Sequence, residues 1–195
     1  VRARRGGIDS RSQATMNALV EACREHQWDM PPTVVALLAS DLPIVSAEDR
    51  PIVQPYFVFV STVEPRKNHL MILRVWQQLA ARLGTDTPKL IIIGQRGWLF
   101  SELTELLHES RILRALVTEI SDCCDQQLVN YLRHAQALLF PSFVEGYGMP
   151  VLEALALGVP VIASDLPVFR EFAMNVPEYV GANDSDAWMD MISEY

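Results

Sequence analysis

A parallel α/β sheet, doubly wound by helices on both faces, is the fold the sequence predicts, and three observations predict it. From residue 56 onward, short apolar runs alternate with stretches whose apolar residues recur every three or four positions. The short runs are near-continuous in Val, Ile, Leu and Phe, the pattern of strands covered on both faces rather than the in–out alternation of a half-exposed sheet. Gly94, Pro141 and Gly158 punctuate the pattern where a strand or helix has to stop. Strands that alternate with helices pair in parallel, because each crossover returns the chain to the same end of the sheet.

The elements follow in order. From Asp9 to Gln27 the spacing predicts a helix, with Ser10 or Ser12 as its cap, Ala18, Leu19, Ala22 and Cys23 on one face, and Met30-Pro31-Pro32 as its stop. Thr33 to Leu38 reads as a buried strand, and the aperiodic, proline-bearing stretch from Ala39 to Pro55 as a linker. The compositional shift there divides the chain into residues 1–50 and residues 51–195. Beyond it, Tyr56–Ser61 is a strand, and Asn68–Leu83 is a helix with Ile72, Trp76, Leu79 and Leu83 along one face. Lys89–Ile93 is a strand, Leu99–Glu109 a helix, Leu116–Ile120 a strand, Cys124–Arg133 a helix and Ala137–Phe140 a strand. Met149–Leu157 is a helix that Gly158 terminates, Val159–Ala163 a strand and Pro167–Met174 a helix. Past Pro177 the periodicity fades and no element is assigned.

Composition narrows the function classes. With 195 residues, 50% of them hydrophobic and 21% charged, the chain supports an ordinary globular core without disulfide or metal. A formal net charge of −8 disfavours a nucleic-acid partner and adsorption to an anionic membrane, while leaving room for a local basic spot that takes a small anion. Cys23, Cys123 and Cys124 are expected to be free thiols in a reducing, cytoplasmic setting. The four histidines show no metal-ligand spacing, so no metal is expected. No apolar run reaches the ~18 residues of a membrane-crossing helix, and Val1–Gly7 lacks the apolar core of a leader peptide. The missing initiator Met and the fade at the far end read as a piece of a longer protein.

Open α/β sheets take ligands in the loops beyond the carboxyl ends of their strands. The loop Thr62-Val63-Glu64-Pro65-Arg66-Lys67-Asn68 sets two adjacent cations at the start of a helix. They oppose the helix dipole unless an anion joins them, in which case cations and free backbone N–H groups share it. A solvated Arg–Lys pair is the alternative. His69 next to them is expected at the surface. The loop from Pro141 to Pro150 carries Glu145, Gly146, Tyr147, Gly148 and Met149 ahead of a helix whose first turn is expected to hold Glu153. Glycines let backbone approach a ligand, and two carboxylates around one helix start suit a sugar diol and a reacting sugar. A solvated Glu145 and a Glu153 that only complements the dipole remain the other reading. Gly94-Gln95-Arg96-Gly97-Trp98 is a weaker candidate, with Trp98 as a possible pocket wall or a core residue. The run Gly146-Tyr147-Gly148-Met149-Pro150-Val151 lacks the third glycine of a dinucleotide fingerprint.

The run from Phe140 to Asp165, FPSFVEGYGMPVLEALALGVPVIASD, resembles the signature of the retaining glycosyltransferases of family 4, with their E-x7-E motif on Glu145 and Glu153. Phe57–Asn68 resembles the first strand and phosphate loop of that family, and the likeness extends from about Tyr56 to Glu171. The resemblance implies the C-terminal, Rossmann-like half of a GT-B fold, which binds a nucleotide-diphosphate sugar. It implies that Arg66 and Lys67 neutralise the diphosphate, that Glu145 lies by the transferred hexose and that Glu153 holds the ribose. The backbone of Gly146, Tyr147, Gly148 and Met149 would contact the donor, with Thr62 at the head of the phosphate loop. It implies no metal and no cofactor beyond the donor itself. The wording Glu64-Pro65-Arg66-Lys67-Asn68 resembles the mannosyltransferase branch, with GDP-mannose as first-choice donor. Residues 1–50 would be the remnant of an acceptor domain that meets a glycan or lipid-linked acceptor, and residues 51–195 a donor domain short of its closing helices. The whole protein would build surface polysaccharide, peripheral at the inner face of a membrane. Ser61 and Thr118 depart from the family's glycines, where a side chain would crowd the donor pocket. A GT-B epimerase, a glycogen-type synthase and a non-catalytic partner-binding domain are the alternatives.

Overall fold

The computed structural model describes residues 2–4, 7–40, 42–43, 49–97 and 101–195. The chain opens with β1 (Arg2–Arg4), antiparallel to β2 (Gly7–Ser10), then α1 (Gln13–Glu25) and β3 (Thr33–Val35), which runs parallel to β2. Ser12 caps α1: its side chain accepts from the Thr15 amide. Asp9 and Ser10, expected in that helix, belong instead to β2, where the main chain pairs with β3. The strand expected over Thr33–Leu38 is shorter and is not buried. β3 pairs on one side only, at the margin of a three-stranded sheet, and leaves Val34 53% exposed.

The main body is a six-stranded parallel sheet. Its elements are β4 (Tyr56–Val60), α2 (His69–Leu83), β5 (Lys89–Ile93), α3 (Ser101–Glu109), α4 (Arg111–Leu116), β6 (Val117–Ile120), α5 (Asp125–Arg133), β7 (Leu138–Phe140), α6 (Met149–Ala156), β8 (Val161–Ser164), α7 (Pro167–Ala173), β9 (Glu178–Val180) and α8 (Ser185–Ser193). The strand order is β6-β5-β4-β7-β8-β9 and every pairing in this sheet is parallel. This is the doubly wound architecture expected from the sequence.

Alternate residues along each strand divide between two cores, as the period of two requires. Phe57, Phe59, Leu90, Ile92, Leu139 and Ile162 face a cluster built from α2, α3, α4 and α8. Tyr56, Val58, Ile91, Ile93, Leu138, Phe140, Val161 and Ala163 face a second cluster built from α5, α6 and α7. Burying one such side chain contributes roughly 1.5–3 kcal/mol, and because both faces of β4 and β7 are covered, both sets contribute.

Two features of this sheet and its helices differ from the sequence expectation. Leu116 ends a helix, α4, instead of starting a strand; Ser110 caps that helix by accepting from the Leu113 amide. The stretch past Pro177 folds into β9 and α8, and Asp184 caps α8 by accepting from the Ala187 amide. Trp188 of α8 is fully buried against the first core and donates its indole N–H to the Gly181 carbonyl. The expected helix start at Leu99, and Trp98, lie outside the described residues.

The order of strands places a crevice. From β4 the chain winds through α2 to β5 on one side, whereas β7 continues through α6 to β8 on the other. Since α2 and α6 cover opposite faces, the carboxyl ends of the neighbouring strands β4 and β7 form the topological switch point, where such sheets take their ligands.

Candidate functional site

Both loops singled out in the sequence emerge at this switch point, and the structure joins them. After β4, residues 65–67 form a single 3-10 turn, and Asn68 (φ 65°) hands the chain on to α2. The Asn68 side-chain amide donates to the Pro141 carbonyl (3.3 Å) and the Ala182 carbonyl (2.8 Å), tying together the loops that follow β4, β7 and β9. The Phe143 amide donates to the Arg66 carbonyl (2.9 Å). The phosphate-loop candidate and the loop carrying Glu145 are therefore held as one unit by main chain as well as by side chains.

Charge concentrates where they meet. Lys67 Nζ is paired with Glu145 Oε1, and Arg66 Nη1 lies 3.2 Å from Glu145 Oε2. Arg66 also contacts Glu64 Oε1 at 2.5 Å through Nη2 and donates to the Val144 carbonyl through Nη1 (3.3 Å). The side chains of Lys67 and Glu145 are only 9% and 7% exposed, so this pair is largely out of water, whereas Arg66 at 44% remains open to it. The Lys67 ammonium also lies 5.0 Å from the centre of the Phe140 ring. A buried ammonium needs a counter-charge, and Glu145 supplies one on the protein's own account.

The turn that follows Glu145 is shaped by Gly148. Its φ is 97°, and a Cβ there would come within 2.4 Å of the Phe169 ring. A Cβ on Gly146 would meet nothing within 4 Å, so the protein's own packing leaves open space beside it. Pro150 sits in the first turn of α6, where its missing N–H costs nothing. Among the described residues, the amides of Tyr147, Gly148 and Met149 have no hydrogen-bond acceptor. They form a cluster of free donors at the positive end of a helix.

Among the described residues, Glu153 takes no part in these ion pairs. It is the fifth residue of α6, one turn deeper than the first-turn position expected from the spacing. Half-burial, and secondarily Asp125 at the start of α5, raise its pKa above the ordinary carboxylate value. Thr62 is exposed at the head of the first loop.

Two neighbours differ from expectation. His69 is not at the surface: it is 3% exposed, stacks on Phe59 with ring centres 4.2 Å apart, and places Nε2 3.2 Å from Ser61 Oγ. Burial, with Lys67 adding to it, lowers its pKa from 6.5 to about 4, so the ring is neutral near neutrality. Ser61 thus turns its hydroxyl to a buried partner. Thr118 lies exposed on β6, a marginal strand of the sheet. The described residues contain no group of acidic, His and Cys side chains able to hold a metal ion.

What sequence reasoning missed is the involvement of the N-terminal segment. The Ser12 and Thr15 hydroxyls reach the Gly146 carbonyl, and the Tyr147 hydroxyl bonds to the main chain of Leu38. No local pattern signals such contacts.

Six parallel strands with cations, a carboxylate and free amides gathered at their switch point define a Rossmann-like domain with an anion-receptive crevice. The chain belongs to the family of glycosyl transferases group 1, which it matches over residues 46–193. It is 31% identical over 162 residues to the O-antigen chain mannosyltransferase B of Escherichia coli, covering 80% of this chain and 42% of that protein. It is 37% identical over 119 residues to the serotype-specific mannosyltransferase WbdA of the same species, covering 61% of this chain and 14% of that one. The chain therefore spans less than half the length of these relatives. Among solved structures it resembles TarM of S. aureus, crystallised as a mutant with UDP (TM-score 0.77, 14% identity, covering 97% of this chain and 36% of that one). It also resembles the pneumococcal O-GlcNAc transferase GtfA (TM-score 0.70, 18% identity, covering 97% and 36%). These likenesses show the fold, a Rossmann-like sheet of the kind found in GT-B glycosyltransferases.

Proposed function

We propose that this chain is the donor-binding part of a retaining hexosyltransferase that takes a nucleotide-diphosphate sugar, GDP-mannose by first choice, and serves surface-polysaccharide synthesis. The observation that carries the proposal is the convergence of Arg66, Lys67 and Glu145 at the switch point, beside the free amides of Tyr147, Gly148 and Met149. A diphosphate leaving group gains negative charge as its bond to the anomeric carbon breaks. Two fixed cations and a row of N–H groups stabilise that charge more than they stabilise the ground state. Arg66 grips an oxygen pair through its planar fork, while Lys67 acts as a point charge. Glu145 holds both cations in place and, on this reading, would lie by the transferred hexose. Glu153 would accept from the ribose hydroxyls and Thr62 would line the entrance.

On this reading no metal is needed, because the cations perform the neutralisation. The mannosyltransferase relatives support the choice of sugar, and the E-x7-E spacing on Glu145 and Glu153 supports the retaining chemistry. Residues 1–50 belong, in this proposal, to an acceptor domain that presents a glycan or lipid-linked hydroxyl. The whole protein would work at the cytoplasmic face of a membrane, and no helix among the described residues is long and apolar enough to cross one.

Calorimetric titration with GDP, UDP and ADP tests the donor site. Binding of one of the three is expected, GDP most tightly. Lys67→Met should weaken it by roughly tenfold or more, the cost of one charge-assisted contact to phosphate. A folded chain that binds none of the three sinks the proposal.

A further inference from the structure

The donor-loop turn is held from outside its own domain. The Thr15 hydroxyl donates to the Gly146 carbonyl (3.1 Å). Ser12 Oγ lies 3.1 Å from the same oxygen and 2.9 Å from Thr15 Oγ1, and accepts from the Thr15 amide (3.1 Å). Each hydroxyl has one proton, so Thr15 serves the carbonyl while Ser12 can back it up or support Thr15 itself. One residue on, the Tyr147 hydroxyl donates to the Leu38 carbonyl (2.9 Å) and accepts from the Leu38 amide (3.1 Å). The Tyr147 ring stacks on Phe172.

α1 is itself anchored to the donor domain. Both oxygens of Glu171, on α7, accept from the first amides of α1: Gln13 (2.7 Å) and Ala14 (2.6 Å). A carboxylate at that end of a helix is favoured by the dipole as well as by the two hydrogen bonds. The hydroxyls of Ser12 and Thr15 therefore sit on a fixed platform.

The consequence lies in the geometry of one peptide unit. In a planar trans peptide, the carbonyl of Gly146 and the N–H of Tyr147 point in opposite directions. No peptide bond among the described residues is cis. A Gly146 carbonyl directed at α1 aims the Tyr147 N–H away from it, to the side where no described group accepts that proton. Glycine at 146 has no side chain to hold this peptide, so the Thr15 hydroxyl, with Ser12 beside it, is what fixes the direction of its carbonyl.

We infer that Thr15, supported by Ser12 and by the Glu171-anchored start of α1, is a positioning residue that orients the Gly146–Tyr147 peptide so that its N–H faces the donor diphosphate. This rests on the donor-site proposal above. It assigns the N-terminal segment a part in donor recognition that its own sequence does not announce.

The test uses the whole chain and the nucleotide that binds it, GDP first. Thr15→Val keeps the shape and loses the hydroxyl; Thr15→Ser keeps the hydroxyl. Thr15→Val should weaken GDP binding by roughly fivefold, as expected for one lost hydrogen bond, with its thermal midpoint close to that of the unaltered chain. Thr15→Ser should restore the affinity. Tyr147→Phe, which removes both Leu38 bonds but keeps the stack on Phe172, should weaken binding in the same direction. Unchanged affinity in Thr15→Val, or equal losses in Thr15→Val and Thr15→Ser, overturns the inference and leaves the donor site standing. No binding of GDP, UDP or ADP by the unaltered chain overturns the donor site and this inference together.

Discussion

At the scale of single residues, the site is a balance of buried charge. Lys67 and Glu145 are nearly excluded from water; removing Glu145 leaves the Lys67 ammonium uncompensated, whereas removing Lys67 leaves Glu145 with Arg66 alone. Arg66 and Lys67 were legible in the sequence because two cations at a helix start are unusual without an anion, and Glu145 because of its glycine-rich surroundings. Glu145's part as their present partner was not legible, since loops 78 and 79 residues apart meet only in three dimensions. His69 shows the same limit: a polar residue at a helix start reads as a surface residue, yet it fills a slot against Phe59. That burial has a measurable consequence. Its folded-state pKa of about 4 lies below the ordinary 6.5, so between these values the unfolded chain holds a proton that the folded chain refuses. Stability should be insensitive to this group above about pH 6.5 and fall as the pH drops towards about 4, by up to about 1.4 kcal/mol per pH unit. Glu153, whose pKa is raised, acts in the opposite sense, holding its proton more tightly in the folded state. Subtracting the urea-derived stability curve of a His69→Gln variant from that of the unaltered chain isolates the histidine. A flat difference would show that His69 titrates normally.

At the scale of elements, the buried strands declared themselves and the short, late elements did not. β5 matches its expected bounds, Lys89–Ile93, because a run of lysine, leucine and three isoleucines has no competing interpretation once the glycine after it is considered. β4, α2 and α6 fell within a residue of expectation for similar reasons. β3 misled in the opposite way: its apolar run promised burial, but its side chains lie at the margin of a small sheet. α8 was missed although it contributes Trp188, one of the largest fully buried side chains, to the core beneath α2. Trp188→Ala should therefore lower the stability by about 3–5 kcal/mol, the usual cost of such a cavity, read from a denaturant midpoint. A change below about 1 kcal/mol would mean that α8 is not a working part of the core.

At the scale of the whole molecule, the strand order decides both where ligands approach and how firmly each part is held. The parallel class could be anticipated from alternation alone, whereas the switch point follows from a strand order that alternation does not give. The joining of the N-terminal segment to α7 and to the turn after Glu145 could not, because its contacts bridge 109 to 158 positions of sequence. β4 lies inside the sheet, hydrogen-bonded to β5 on one side and β7 on the other, with Tyr56, Phe57, Val58 and Phe59 at most 1% exposed. Its amides should exchange with deuterium only through the largest opening of the domain, more slowly than those of β3 or β9. Comparable rates in all three would show that the sheet opens in pieces. The same interior position leaves a mark on biosynthesis. A chain growing from its N-terminus can zip β4 to β5 early, but β7 arrives only after two further strands and their helices have been made. Until then the innermost strand has one bare flank, rich in aromatic and branched side chains, at the seam that will later become the switch-point crevice. The nascent half-sheet is thus most open to mispairing along the line that becomes the topological switch point of the finished sheet.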